Sequence, residues 1–242
     1  MANTYFQFKE FIIHQQKTAM KVTTDACLFG AWLANTLPAF DEKIKCLDIG
    51  AGTGLLSLMC VQKHPTVYID AIEIDALAVE EATENVRLSK WNQQVNVVQT
   101  SIQTFKPNTK HSYQWIISNP PFYDHDLKSQ NDQRNLAHHS TALSLETLVD
   151  CIDYQLANNG YFAVLLPHVR SEYFIQIAEQ KGLYIQQLVQ VKQTEKHAYF
   201  RTMFLGGKVK ATNLQTSEIT VKINNEYSQS FIQLLKDYYL HL

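Results

Sequence analysis

The chain has 242 residues, of which 45% are hydrophobic and 18% charged, with a formal net charge of −2. That length allows one domain with a sizeable core, and that composition excludes a disordered or fibrous chain. The near-neutral balance argues against a long grip on nucleic-acid phosphates, while leaving room for a local basic patch.

No apolar run reaches the ~18–20 residues that a membrane helix needs. Residues 1–9 carry no apolar signal core. The four cysteines, Cys27, Cys46, Cys60 and Cys151, match no zinc or redox spacing. They read as buried free thiols of a protein in a reducing cytoplasm.

Residues 1–43 read as an N-terminal extension. It holds an aromatic stretch (Tyr5, Phe6, Phe8, Phe11) and a short helix within residues 21–37, with Asp25 near its start and Pro38 after its end. The remainder, residues 44–242, alternates strands and helices. Strands are expected at 44–49, 67–74, 95–100, 113–118 and 160–166. Helices are expected at 55–61, 76–88, 144–158 and 169–180, with Asp75 capping the second. The tail adds strand-like runs at 184–192, 199–205 and 218–223 and an amphipathic helix over 227–239. Repeated strand–helix units imply a mostly parallel sheet with helices on both faces. Strand runs without intervening helices imply an antiparallel edge at the C-terminus.

Ligands of such sheets bind outside the carboxyl ends of the strands. At the first of those ends stands Asp48-Ile49-Gly50-Ala51-Gly52-Thr53-Gly54. Gly50 permits a tight turn, Gly52 removes a side chain where a ligand must approach the backbone, and Gly54 lets the helix pack against the strand. The spacing is G-x-G-x-G, and Asp48 precedes it. An acid there suits a cationic ligand better than a pyrophosphate. S-adenosylmethionine, with an ammonium and a sulfonium, fits that requirement. Glu73, about twenty residues on, can accept from a ribose diol. Beside it stands Ile74. At the third strand's exit an acid is expected to read the adenine amino group. Ser101 and Ile102 stand there instead, and a serine hydroxyl or a backbone group can take over part of that role.

The fourth strand ends in Ser118-Asn119-Pro120-Pro121-Phe122. Two prolines stop both ladder and helix and make a rigid turn. An exocyclic amino nitrogen is a poor nucleophile because its lone pair is delocalised into the ring. The Asn119 side-chain oxygen and the Pro120 carbonyl can accept its two N–H bonds, which aims the lone pair at a methyl group. Phe122 can stack on a flipped base. Catalysis would then rest on positioning and preorganised acceptors.

These two motifs, in this order, resemble the Asn-Pro-Pro-Phe/Tyr class of S-adenosylmethionine-dependent amino-methyltransferases. The N-terminal segment narrows the resemblance. Phe6-Gln7-Phe8-Lys9-Glu10-Phe11, Met20-Lys21-Val22-Thr23-Thr24-Asp25 and Leu28-Phe29-Gly30-Ala31-Trp32 are similar to the bacterial valine-tRNA adenine-N6 methyltransferase family. The resemblance spans roughly residues 5–170. It implies a Rossmann-like class I methyltransferase fold: α/β, with a seven-stranded, mostly parallel sheet and an antiparallel C-terminal edge. It also implies a tRNA partner modified at an adenine next to the anticodon, and a position for Lys21, Thr24 and Asp25 at the cofactor's methionine end; the chain is expected to be a monomer. Two departures stand out. The family's stretch after the catalytic motif is richer in arginine; here Arg134 matches and His138 replaces a second arginine. Ser101 stands where an acid is common.

His138 and His139 have no third ligand at fitting spacing, so no metal is expected. Lys196 and Arg201, with Tyr199 and Phe200 between them, leave two readings open. They form an RNA-facing edge with stacking aromatics, or a charged edge strand that resists aggregation. Alternative substrates for the same motif are a ribosomal-RNA guanine and a protein glutamine. A non-catalytic cofactor-binding module would need a broken catalytic motif, and this one is intact.

Overall fold

The computed structural model describes residues 3–38, 40–105, 110–121 and 143–242. Two short strands, β1 (Tyr5–Gln7) and β2 (Ile12–His14), form an antiparallel ribbon ahead of helix α1 (Thr24–Thr36). The repeating core follows as β3 (Ile44–Ile49), α2 (Leu55–Lys63), β4 (Val67–Glu73), α3 (Ala76–Leu88), β5 (Val95–Gln99) and β6 (Tyr113–Ser118). Then come α4 (Leu145–Gln155), β7 (Leu156–Pro167), a single 3-10 turn at His168–Arg170, and α5 (Ser171–Gln180). The tail comprises β8 (Tyr184–Thr194), β9 (Tyr199–Gly207), β10 (Gln215–Ile223), β11 (Glu226–Tyr227) and α6 (Gln229–Leu235).

Local signals account for most boundaries. Side chains of Thr23, Asp75, Ser144 and Ser228 accept from amides in the first turns of α1, α3, α4 and α6, satisfying donors that a helix start leaves unpaired. The central strands β3 and β6 are nearly continuous apolar runs, as a parallel strand covered on both faces requires.

One sheet orders nine strands as β11-β10-β8-β9-β7-β6-β3-β4-β5. Strands β3 to β7 are parallel, and β9 runs antiparallel between β7 and β8. One core packs under α1, α2, α6 and the β1–β2 ribbon, and a second under α4 and α5. No helix among the described residues is long and apolar enough to cross a membrane.

The seven-strand expectation is corrected at the tail. β8 and β9 make the antiparallel hairpin, but β9 slots inward beside β7. It does so because its last six residues, Thr202–Gly207, are buried on both faces, as an interior strand must be. β10 then adds parallel to β8, and β11 closes the edge. β10 is exposed over its first half, which is tolerable only in an outer strand. The final helix is shorter than expected. After Leu235 the chain turns, and the backbone of Lys9 donates to Tyr238.

Gly206 shows how tight that slot is. A Cβ there would lie 2.5 Å from the Phe162 ring and 2.6 Å from the Tyr184 carbonyl oxygen. The ring could shift; the carbonyl belongs to the neighbouring strand and cannot. Gly206→Ala is therefore expected to destabilise the fold by about 3 kcal/mol, read as a lower urea midpoint at unchanged m-value.

Candidate cofactor and catalytic site

Sheet register assembles the site. Ile49 of β3 pairs with Ile72 of β4 and with Ser118 of β6, and Glu73 pairs with Gln99 of β5. Four strands thus end at one level. The glycine turn, Glu73, Thr100 and Asn119 stand side by side, where strand order reverses about β3. The Ser118 hydroxyl donates to the Ile49 carbonyl at 2.9 Å, tying the β6 exit to the glycine turn.

Gly50, Gly52 and Gly54 all hold positive φ (70°, 56° and 79°), the conformation that disfavours side chains. A Cβ at Gly50 or Gly52 would meet nothing within 4 Å, whereas Gly54 faces Ala82 of α3 at 3.7 Å. The first two open a cradle and the third packs a helix. Glu73 braces that turn. One carboxylate oxygen accepts from the Gly52 amide at 3.0 Å, and the other accepts from Ile74 (2.7 Å) and Asp75 (3.0 Å). Asp75 itself caps α3.

Asp48 is fully buried beneath the turn. Its Oδ2 accepts from the Ser57 hydroxyl at 2.6 Å, while Oδ1 has no partner among the described residues. Burial pushes its pKa from 3.8 up to about 7; the Ser57 hydrogen bond opposes that rise and the nearby Glu73 adds to it.

The N-terminal segment reaches the site through α3. The Glu81 carboxylate accepts from the backbone amides of Gln16, Lys17 (3.0 Å) and Thr18 (2.8 Å). Asn85 bonds both backbone groups of His14 and donates to the Thr53 carbonyl at 3.0 Å, joining the ribbon to the glycine turn. These contacts place Thr18, Ala19 and Met20 on the wall of a cavity of about 430 Å³. The cavity is otherwise lined by the strand ends, among them Gly50, Gly52, Glu73, Ile74, Ser101, Ile102, Asn119 and Pro121. Its volume lies within the range of small-molecule sites.

Asn119 lines the cavity beside the glycine turn. Its Oδ1 is buried and has no hydrogen-bond partner among the described residues. A buried amide oxygen without a donor costs roughly 1–3 kcal/mol, so it is an acceptor held ready. Pro120 is buried behind it.

Several anticipated residues stand elsewhere. Lys21 does not line the cavity; its ammonium donates to the carbonyls of Gln15 and Thr18, folding the loop that does line it. Thr24 is exposed in the first turn of α1, and Asp25 pairs with Arg201 at 2.6 Å. Lys196 is exposed in the β8–β9 turn. Phe122, Arg134 and His138 lie outside the described residues. The Ser101 hydroxyl lies 2.8 Å from that of Thr104, which fixes it at the cavity wall. Sequence reasoning missed Thr18 to Met20 and the Glu81 clamp. Glu81 reads as one of several wet-side acids on α3, and only the returning chain shows otherwise. No group of three or more metal-ligating side chains occurs among the described residues.

The comparisons with known proteins agree with this geometry. A family model described as Methyltransferase small domain matches residues 29–147. The tRNA1(Val) (adenine(37)-N6)-methyltransferase of Flavobacterium johnsoniae is 36% identical over 98% of this chain and 100% of its own length. The protein of the same name from Pseudoalteromonas translucida is 37% identical over 98% of this chain and 99% of its own. Among solved structures, a predicted O-methyltransferase of Agrobacterium tumefaciens superposes with a TM-score of 0.64 at 13% identity, covering 88% of this chain and 96% of that one. The last likeness concerns the fold alone. The first two run end to end through the ribbon, the glycine turn and the Asn-Pro-Pro exit alike, and on them the chain belongs to the tRNA1(Val) (adenine(37)-N6)-methyltransferase family.

Proposed function

We propose that this chain transfers a methyl group from S-adenosylmethionine to N6 of an adenine in tRNA, adenine 37 of tRNA1(Val), as its relatives are named for doing. The observation that carries the chemistry is the buried, unpartnered Asn119 oxygen, level with the glycine turn.

The residues fit the cofactor. Gly50 and Gly52 leave room against the backbone, and Asp48, buried beneath the turn and not itself part of the cavity wall, keeps one carboxylate oxygen unpartnered there. Glu73 Oε2 accepts one amide and keeps capacity for a ribose hydroxyl. Ile74 and Ile102 offer apolar walls for an adenine ring, with the Ser101 hydroxyl at its edge. Lys21 shapes the Thr18–Met20 wall, and Thr24 and Asp25 open the helix behind it. When bound, S-adenosylmethionine supplies a methyl carbon activated by its sulfonium.

The protein's part is orientation. Asn119 Oδ1 and the Pro120 carbonyl accept from the target amino group, and Phe122 stacks on the base. The N6 lone pair would thereby be directed at the methyl group that bound S-adenosylmethionine would supply, with the sulfur as leaving group and the extra N6 proton lost to solvent. Arg134, His138, Lys196 and Arg201 are the candidate RNA contacts, Arg201 only on release of its ion pair with Asp25. Residues 1–43 serve as a cover for the cofactor site on the domain of residues 44–242. The protein acts as a cytoplasmic monomer.

The test is transfer of labelled methyl into unmodified tRNA, followed by nucleoside digestion. Label in N6-methyladenosine is expected. Label confined to a methylated guanosine, or to protein glutamine, would overturn the reading. A second expectation concerns the cover. Glu81→Ala releases three amides that hold the Thr18 loop. Cofactor affinity should fall about ten-fold because the competent loop is less populated. Stability should drop by only about 1–2 kcal/mol. Calorimetric titration with S-adenosylhomocysteine measures the first, and urea unfolding the second.

A further inference from the structure

The carboxyl edge of the sheet is stepped beside Asn119. Ser118 ends β6 level with Val164 of β7, yet β7 runs on to Pro167, where it pairs with Arg201 of β9. Three more residues at about 3.3 Å each raise that wall by about 10 Å. On top sits the His168–Arg170 turn. The His168 ring is fixed by Thr202, at 2.9 Å, and by the ring of Tyr199, centred 5.3 Å away. The turn is therefore anchored, yet Val169 at its tip is 86% exposed, an unusual place for a β-branched apolar side chain on a braced element. Arg170 beside it makes no ion pair among the described residues. Leu143, two residues ahead of α4, lines the cofactor cavity. The Glu146 carboxyl in that helix is held below its usual range first by the Tyr173 hydroxyl and also by the Arg170 charge. On the other flank a register shift in β9 breaks its alternation. Phe200 packs on the same core as α1, and Arg201 turns to Asp25 of that helix with its guanidinium 5.3 Å from the Phe200 ring centre.

We infer that the His168–Val169–Arg170 turn is a docking point for a single-stranded nucleotide flanking the target adenine, Arg170 taking its phosphate and Val169 meeting its base or sugar. The inference rests on the functional reading above. A base seated on Asn119 leaves its own backbone at the height of this wall. An exposed apolar tip beside a cation is the pairing that unstacked RNA requires, since it presents base faces and phosphates together.

The test uses full-length protein and unmodified tRNA transcript. Arg170→Ala should weaken tRNA binding roughly five-fold at low salt and reduce the slope of log Kd against log salt by about 0.7, the signature of one lost single-strand phosphate contact. Arg170→Lys should restore the slope, and Val169→Asp should weaken binding further by repulsion. Cofactor affinity and kcat at saturating tRNA should stay at wild-type values in all three. Unchanged tRNA affinity and slope in an active enzyme would sink this inference alone. So would a variant that alters only sedimentation, which would make the turn a contact between copies. A wild-type chain inert on every tRNA would instead sink the functional reading, and this inference with it.

Discussion

Asn119→Ala is expected to lower kcat by about 10²- to 10³-fold, the loss typical of removing one preorganised polar group from a reacting centre. Cofactor affinity should hardly move, because Glu73, the glycine turn and the Ile74 and Ile102 walls all stay in place. The variant should also fold at least as well as the wild type. Asn119 Oδ1 has no donor among the described residues, so its removal relieves a buried unsatisfied acceptor. That combination separates a catalytic role from a structural one. Asn119→Asp keeps an acceptor oxygen at the same place and should retain more activity than the alanine variant. Single-turnover methyl transfer at saturating cofactor measures the rates, calorimetric titration the affinity and urea unfolding the stability. Full activity of Asn119→Ala would end the proposed mechanism.

Asp48→Asn should produce opposite effects on stability and binding, and the split should depend on pH. Burial raises the folded pKa of Asp48 from 3.8 to about 7, so the folded state binds a proton more tightly than the unfolded chain. The stability this gives is fully present below pH ~4 and is lost as pH rises through ~7, at about 1.4 kcal/mol per pH unit. Summed over that window the loss is about 4 kcal/mol, an order-of-magnitude figure. The asparagine cannot ionise. The variant should therefore match the wild type in urea unfolding at pH 4 and exceed it at pH 8. Cofactor binding should show the reverse. A cation near Asp48 favours its ionised form, so wild-type affinity should rise with pH through ~7. The asparagine variant should bind about ten-fold more weakly at pH 8 and lack that rise. Equal stability of the two proteins at pH 8 would show that Asp48 is not a stored electrostatic cost. Unaltered affinity would place the cofactor elsewhere.

Local chemistry explains why so much of the chain is legible from its residues. Gly50, Gly52 and Gly54 supply the positive φ that their turn demands, a demand set by adjacent residues. Asn119 before two prolines defines a rigid acceptor at a strand end. Thr23, Asp75 and Ser144 each cap the helix that follows them, a property of a single turn of chain. Parallel β3 and β6 declare themselves as apolar runs. These features depend on a few neighbouring residues and survive any change of tertiary context.

What the tertiary structure decided are the long-range pairings. Nothing local says that β9 rather than β8 lies against β7, or that β10 adds outside them; that choice depends on which strand can be buried on both faces. Asp25 sits in a segment associated with the cofactor, yet its carboxylate is taken by Arg201, 176 residues away. Glu81 reads as a solvated helix acid until the chain returns at Gln16 to Thr18 and fills it with amides. The step that lifts Val169 and Arg170 above Asn119 comes from the unequal lengths of neighbouring strands. The sequence by itself determined the chemistry of each strand end, because that chemistry is written in contiguous residues. Only the folded sheet decided which of those ends meet, because register and burial are set between segments far apart in the chain.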